Sequence, residues 1–298
     1  MPEIIFLGTS CMLPTKNRNA FSILLRYNQE NILIDCGEGT QRQLRQLDIS
    51  PTKITRVFLS HLHGDHILGL PGLIQTFVAS APEKELIIYG PRKTKLLMDY
   101  LLNLFVSDKN RVRIKIKEIE SGKIFENNEF EINCTKLEHS ITCIGYSLIQ
   151  KDVRKINIDY LKKFGLKENP LLGDLQKGKS ITFKDHKITP KQATYLKEGK
   201  KITFILDTKY CKSAINLAQN SDILICESTF TKAYKDKAHE FKHLIAEDAA
   251  KIAKLSKSKE LILTHFSQRY KTSEEFYKEA KKIFKNVKCV NDLDSITF

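Results

Sequence analysis

Four side chains able to bind a metal ion fall within six residues, in His61-Leu62-His63-Gly64-Asp65-His66. Imidazole and carboxylate together make the nitrogen and oxygen donor set of open catalytic zinc sites. The run follows directly on the apolar segment RVFLS at 56–60, which reads as a short buried strand. A strand end followed by a tight turn at Gly64 aims several donors at one point. The plain alternative, a solvated His-rich loop, does not account for an HxHxDH string placed at a strand end.

One loop cannot enclose two ions, so further donors must come from elsewhere. His139 follows NCTKLE, Asp207 follows ITFIL and His265 follows ELILT, each where an apolar strand gives way to a loop. Any one of them alone could merely cap its loop. Joined to the first cluster they make five His and two Asp, the inventory for two ions bridged by a carboxylate. Two metals about 3.5–4 Å apart share a bridging hydroxide and clamp a phosphodiester. Zinc lowers the pKa of bound water to roughly 7, so a nucleophile exists at neutral pH. Asp65 is expected to hold or deprotonate that water as well as ligate. The leaving oxygen still needs a proton from another group.

The elements that must position these residues alternate between strand and helix. SILLRY and NILIDCG flank a hairpin turn at Asn28–Glu30, and helical spacing runs over Thr40 to Leu47, Leu70 to Val78 and Lys93 to Phe105. Strands are predicted at IIFLG, ELIIYG, RIKIKEI, EFEINCTKL and GYSLIQ. Later come ITFILDT, DILICES and ELILTH, interleaved with helices over Ser213–Asn220, His243–Leu255 and Thr272–Phe284. The halves share a layout, which fits two sheets sandwiched between helices, an α/β fold. The segment 151–180 breaks the pattern with Gly165, Pro170, Gly173 and Gly178 and reads as a small projecting insert.

Composition narrows the partners. Lys and Arg number 49 against 35 Asp and Glu, and the net charge is +14. Residues 151–201 carry 14 Lys/Arg against 6 Asp/Glu, a local excess of +8. A clustered positive field suits a polyanion such as RNA, although lysine on every solvated surface would look similar. The 298 residues, 41% of them hydrophobic, suffice for one large domain with its core. No apolar run is long enough to span a membrane, and the opening MPEIIFLGTS lacks the pattern of a signal peptide. Seven cysteines with no CxxC pair argue against a disulfide framework or a zinc ribbon and point to a reducing cytoplasm.

The metal-binding run, its strand-end partners and the segment Asp35-Cys36-Gly37-Glu38 resemble the metallo-β-lactamase superfamily, which implies an αββα sandwich. By that resemblance one zinc takes His61, His63 and His139, the other takes Asp65, His66 and His265, and Asp207 bridges them. Asp35 would orient a ligand imidazole. Three further segments are similar to the short form of the tRNase Z family. Cys226-Glu227-Ser228-Thr229-Phe230, followed by His243 and AEDAAKIAKL, implies that His243 is the general acid and Glu227 its partner. His239, four residues earlier, competes for that role. Pro14-Thr15-Lys16-Asn17-Arg18-Asn19 matches a PxKxRN loop, so Lys16, Arg18 and Asn19 are expected at the substrate. Thr264-His265-Phe266-Ser267-Gln268-Arg269-Tyr270 extends the metal histidine, with Arg269 at the substrate or packing its loop.

The insert 151–180 is similar in place and charge to the tRNA-gripping arm of that family, within a single domain 1–298, but carries Asn169-Pro170 where relatives carry Gly-Pro. The resemblance implies a zinc-dependent endoribonuclease, with manganese as an alternative ion, acting as a homodimer on precursor tRNA. It would cut on the 3′ side of the discriminator nucleotide, leaving a 3′-hydroxyl on the tRNA and a 5′-phosphate on the trailer. Two rivals stand beside it: a small-molecule hydrolase of the same fold, either phosphodiesterase or thioesterase, and a non-catalytic RNA-binding member.

Overall fold

The computed structural model describes residues 2–80, 84–106 and 111–298. Two seven-stranded sheets dominate. The first runs in the order Ser295–Thr297, Glu3–Gly8, Ser22–Tyr27, Glu30–Ile34, Arg56–Phe58, Leu86–Gly90, Ile114–Glu118. The second runs Val287–Cys289, Glu260–Thr264, Ile223–Glu227, Lys201–Ile205, Cys143–Gln150, Phe130–Leu137, Gly122–Glu126. Alternate side chains leave a strand on opposite faces, so a strand buried on both reads as an unbroken apolar run. In Glu3–Gly8, Ile5 and Leu7 join a core with Leu44, Leu73, Phe77 and Met98 of the flanking helices Thr40–Gln46, Leu70–Ser80 and Thr94–Phe105. The second sheet packs likewise on Lys212–Ala218, Ala246–Leu255 and Glu274–Lys281 through Ala214, Ala249, Ile252 and Phe276. Between the sheets, Phe58 stacks on Tyr89 and meets Tyr146 edge-on, with ring centroids 5.3 Å apart. The expected sandwich of helices around two sheets is therefore present.

Parallel register carries the functional residues to one edge. Ile205 pairs with Cys226 and Glu227 with Thr264, so Asp207, Glu227 and His265 emerge together from neighbouring strand ends. In the first sheet Ile34 pairs with Phe58, which places Asp35 beside Ser60 and His61. The C-terminal edge of parallel strands is where α/β sheets place ligands.

Residues Glu126–Glu131 and Ile149–Lys200 form a separate compact unit. It extends beyond the 151–180 span that lysines and breakers marked out. Val153–Ile156 pairs antiparallel with Thr194–Lys197, and a hairpin joins Ile181–Phe183 to His186–Ile188. Leu161, Leu166, Leu175, Ile181, Ile188 and Ala193 give the unit its own small core. The Asn169 carboxamide accepts from the Leu171 amide at 2.9 Å, so Asn169-Pro170 starts the helix Leu171–Gln176. Lys155, Lys163, Lys167, Lys184 and Lys197 are exposed.

Two local expectations need correction. Gly64 makes no tight turn; it opens a one-turn helix, Gly64–Ile67, whose first turn holds Asp65 and His66. The helix expected from His243 begins only at Ala246. Residues 243–245 are not helical: Ile245 is extended and bridges to Phe230, whose N–H donates to the Leu244 carbonyl at 3.2 Å and whose carbonyl accepts from Ala246 at 3.0 Å. Before it lies an unforeseen helix, Lys235–Phe241, ended by Lys242 at φ 54°.

Candidate metal centre

His61, His63, His139 and Asp207 bring one donor atom each within 4.8 Å of one another, and His66, Asp207 and His265 do the same. Asp207 belongs to both groups. Its Oδ2 lies 3.5 Å from His61 Nε2 and 3.6 Å from His66 Nε2, and its Oδ1 lies 3.3 Å from His265 Nε2. Asp65 Oδ2 stands 3.3 Å from His66 Nε2 and 3.7 Å from His265 Nε2. All seven residues expected as ligands therefore meet in one cluster.

Hydrogen bonds behind the rings decide which nitrogen faces inward. Asp35 is fully buried and accepts from the Ser60 amide and hydroxyl, both at 2.6 Å. That hydroxyl proton being committed, Ser60 Oγ accepts from His61 Nδ1 at 2.9 Å, and Asp35 Oδ2 takes His66 Nδ1 at 2.7 Å. His139 Nδ1 donates to the Lys242 carbonyl at 3.1 Å. His265 Nδ1 donates to Thr229 Oγ1 at 3.1 Å, and the Thr229 hydroxyl donates onward to Glu227 Oε2 at 2.7 Å. Four Nε2 atoms are thus turned inward with outer partners that fix their tautomers, the arrangement of metal-binding histidines. His63 instead presents Nδ1, 2.9 Å from His61 Nε2 and 3.4 Å from His139 Nε2. Phe21 packs against the rings of His66 and His265.

The residues fit a pair of cations. Asp207 is 2% exposed, and its Oδ1 has no hydrogen-bond partner among the described residues. A buried carboxylate oxygen without a donor is costly and calls for a positive charge. Without metal the cluster shares protons unevenly. Burial depresses the His61 imidazole, with the charge of His66 adding to the effect. Burial opposes charge on His66 as well, but Asp207, Asp65 and Asp35 outweigh it and hold that ring protonated. Asp65 lies well below the usual carboxylate range: burial works against ionisation, and the charge of His66, with the His265 and His66 rings close by, overcomes it.

The backbone is bent to make this geometry. Asp35, Asp207 and His265 all have left-handed φ, at 59°, 28° and 61°. Gly37 lies where the Asp35 loop crosses the metal loop, and a Cβ there would stand 2.4 Å from the Asp65 carbonyl.

His243 and Glu227 meet beside the cluster. His243 Nδ1 is 3.1 Å from Glu227 Oε1, and Glu227 also accepts from the Thr208 amide at 2.7 Å. Burial works to lower the His243 pKa, but Glu227 and then Asp207 raise it to about 9. His243 Nδ1 lies 3.9 Å from Asp207 Oδ2. His239, the rival, sits on the helix Lys235–Phe241, exposed to solvent. Thr229, which links His265 to Glu227, was not singled out by its sequence; nothing distinguishes it there from any other buried threonine.

The loop around Lys16 divides its labour. Lys16 is exposed, whereas Arg18 is 6% exposed, with its guanidinium 4.8 Å from the Phe266 ring centroid. The Asn19 carboxamide donates to the Glu38 carbonyl at 2.7 Å, and its amide donates to Asp292 at 2.6 Å. Arg18 and Asn19 therefore brace the loop. Arg269 is exposed and lies over the rings of Tyr234 and Phe230, its Nε donating to Ser267 Oγ at 3.0 Å. A cavity of about 470 Å³ is lined by Arg42, Arg45, Gln41, Leu68 and three glycines.

Residues 2–189 match the family model described as Anti-Pycsar protein Apyc1. Ribonuclease Z of Bacillus cereus (strain G9842) is 35% identical over 98% of each chain. Ribonuclease Z of Methanothermobacter thermautotrophicus is 38% identical over 99% of this chain and 96% of its own. Among solved structures, the short form of human tRNase Z superposes with a TM-score of 0.70 at 26% identity, over 99% of this chain and 98% of that one.

Proposed function

Since the chain belongs to the ribonuclease Z family, endoribonucleases of the metallo-β-lactamase fold, and over residues 2–189 to the family described as Apyc1, we propose that it is a two-zinc enzyme that removes the 3′ trailer of precursor tRNA. The observation that carries this reading is the meeting of seven metal donors with the His243–Glu227 pair, whose carboxylate is fully buried. One ion is assigned to His61, His63 and His139, the other to Asp65, His66 and His265, with Asp207 between them; manganese is the alternative metal. Bound there, two divalent ions supply an activated water and neutralise charge on the phosphate.

The chain's own groups do the rest. Asp65 orients the attacking water. Glu227 holds His243 by Nδ1, which leaves Nε2 free to protonate the leaving oxygen. That proton passes to O3′ of the discriminator nucleotide as the P–O3′ bond breaks. The water oxygen stays on phosphorus as the 5′-phosphate of the trailer. Lys16 and Arg269 are assigned to substrate phosphates, and Arg18 and Asn19 act through the loop they brace. The lysines of the 149–200 unit serve as the arm that holds the tRNA body. Family membership also underlies two further assignments, a homodimer and a cytoplasmic site of action; no helix among the described residues is long and apolar enough to cross a membrane. A non-catalytic RNA-binding role leaves the intact donor set without a purpose.

The test is a precursor tRNA labelled at its 5′ end and carrying a 3′ trailer. Cleavage should map to the discriminator boundary, leave a 3′-hydroxyl, stop with chelator and return with zinc. Hydrolysis of a chromogenic phosphodiester with no cut in the tRNA would favour the small-molecule hydrolase instead.

A further inference from the structure

Cys11 belongs to no part of the machinery assigned above, yet it stands inside it. Its Sγ, a carboxylate oxygen of Asp65 and a ring nitrogen of His265 lie within 4.8 Å of one another. Cys11 is 6% exposed, so the sulfur is not a surface group. The backbone holds it in place from both sides. The strand Ser10–Cys11 pairs in parallel with Phe266–Ser267, directly after His265. The neighbouring Met12 amide donates to Asp65 Oδ2 at 2.7 Å. The thiol is therefore clamped between two loops that each carry a metal donor. No other cysteine falls in such a donor group among the described residues.

A second observation points to a cation on this side of the cluster. Asp207 Oδ1, buried and without a hydrogen-bond partner among the described residues, stands 3.3 Å from Nε2 of the same His265. The orphaned oxygen and the sulfur flank one imidazole.

We propose that Cys11 is an additional donor to the ion held by Asp65, His66 and His265, an inference that rests on the two-metal reading above. On coordination the thiol gives up its proton to the buffer and binds as thiolate. Beside Asp65, His66, His265 and the shared Asp207, sulfur would give that ion a fifth protein donor. Sulfur is a soft donor that favours zinc and disfavours manganese and magnesium. It makes the position selective where an all-oxygen-and-nitrogen site is permissive, and it exposes the centre to oxidation of the thiolate.

The experiment uses the full-length protein loaded with cobalt(II), with metal content counted by elemental analysis. A thiolate-to-cobalt charge-transfer band in the near ultraviolet is expected once the second ion binds, and it should be lost in both Cys11→Ala and Cys11→Ser. The serine variant keeps the side-chain volume, so loss of the band there cannot be ascribed to collapse. Two bound cobalt ions without the band would overturn the assignment of Cys11 and leave the metal centre standing. A band that survives in Cys11→Ala would overturn it equally. Failure to bind cobalt at all would overturn both readings.

Discussion

Asp35 Oδ2 lies 2.7 Å from Nδ1 of His66, and both side chains are fully buried. The carboxylate also takes the Ser60 hydroxyl that accepts from His61, so one residue orients an imidazole at each of the two proposed ion positions. Asp35→Asn should keep the fold and weaken metal affinity by about 10–100-fold, the usual effect of removing such a partner. Competition against a chromophoric chelator measures it. Unaltered affinity would show that Asp35 serves only to close its loop.

His63→Ala should release at least one ion and abolish turnover while the circular dichroism spectrum stays native. His63 is only half-buried and offers its Nδ1 toward both His61 and His139. Elemental analysis beside a tRNA assay decides the matter, and full activity in a variant with one ion missing would sink the two-metal mechanism.

His243→Ala should retain both ions and slow tRNA cleavage by roughly 10²–10⁴-fold. Hydrolysis of bis-nitrophenyl phosphate, whose leaving group needs little protonation, should suffer far less. Equal losses on both substrates would make His243 a structural residue held by Glu227.

The pH behaviour of His243 has a definite sign. In the metal-free protein its pKa is raised to about 9, against about 6.5 for an unperturbed imidazole. Its contribution to stability is therefore fully present below about 6.5 and lost as pH rises through about 9. Two cations near Asp207 must repel the imidazolium, so loading should move this titration downward. Ring-proton shifts followed by NMR, with and without zinc, check both statements. A pKa that rises on loading would contradict the placement of His243 beside the ions.

The two ends of the 151–199 segment meet: the Gln150 amide donates to the Lys200 carbonyl at 2.9 Å, and the Lys200 amide donates to Gln150 Oε1 at 2.9 Å. Replacing 151–199 with a short Gly/Ser bridge should therefore leave chromogenic phosphodiester hydrolysis nearly unchanged and raise KM for precursor tRNA. Every phosphate that the arm no longer neutralises should flatten the log–log salt slope by roughly 0.7–0.9. Unchanged tRNA affinity would mean that these lysines only solvate the unit.

Legibility in the sequence followed locality. His61 to His66 lie in one short stretch, and His139, Asp207 and His265 each end an apolar run, so strand-end position alone picked them out. What depended on pairing between distant parts of the chain was hidden. His243 looked like a helix start because Leu244 and Ile245 lead smoothly into AEDAAKIAKL; the bridge between Ile245 and Phe230 that delays the helix to Ala246 is invisible to periodicity. Arg18 was expected at the substrate with the rest of its loop; the contact of its guanidinium with the Phe266 ring, far along the chain, depends on the fold. Charge and breakers marked only 151–180, and charge marks a surface, whereas the 149–200 unit is closed by the pairing of Val153–Ile156 with Thr194–Lys197.

The left-handed backbone at Asp35, Asp207 and His265 has a consequence for the life of the protein in a cell. Such conformations cost of order 1–3 kcal/mol each, a large share of the stability of an ordinary domain. Ions that bind only the folded chain return that energy in proportion to the logarithm of their concentration over Kd. Under the two-metal assignment proposed above, metal starvation would do more than silence the enzyme: it would enlarge the unfolded fraction that proteases remove, so metal supply would set how many copies survive as well as how fast each one works.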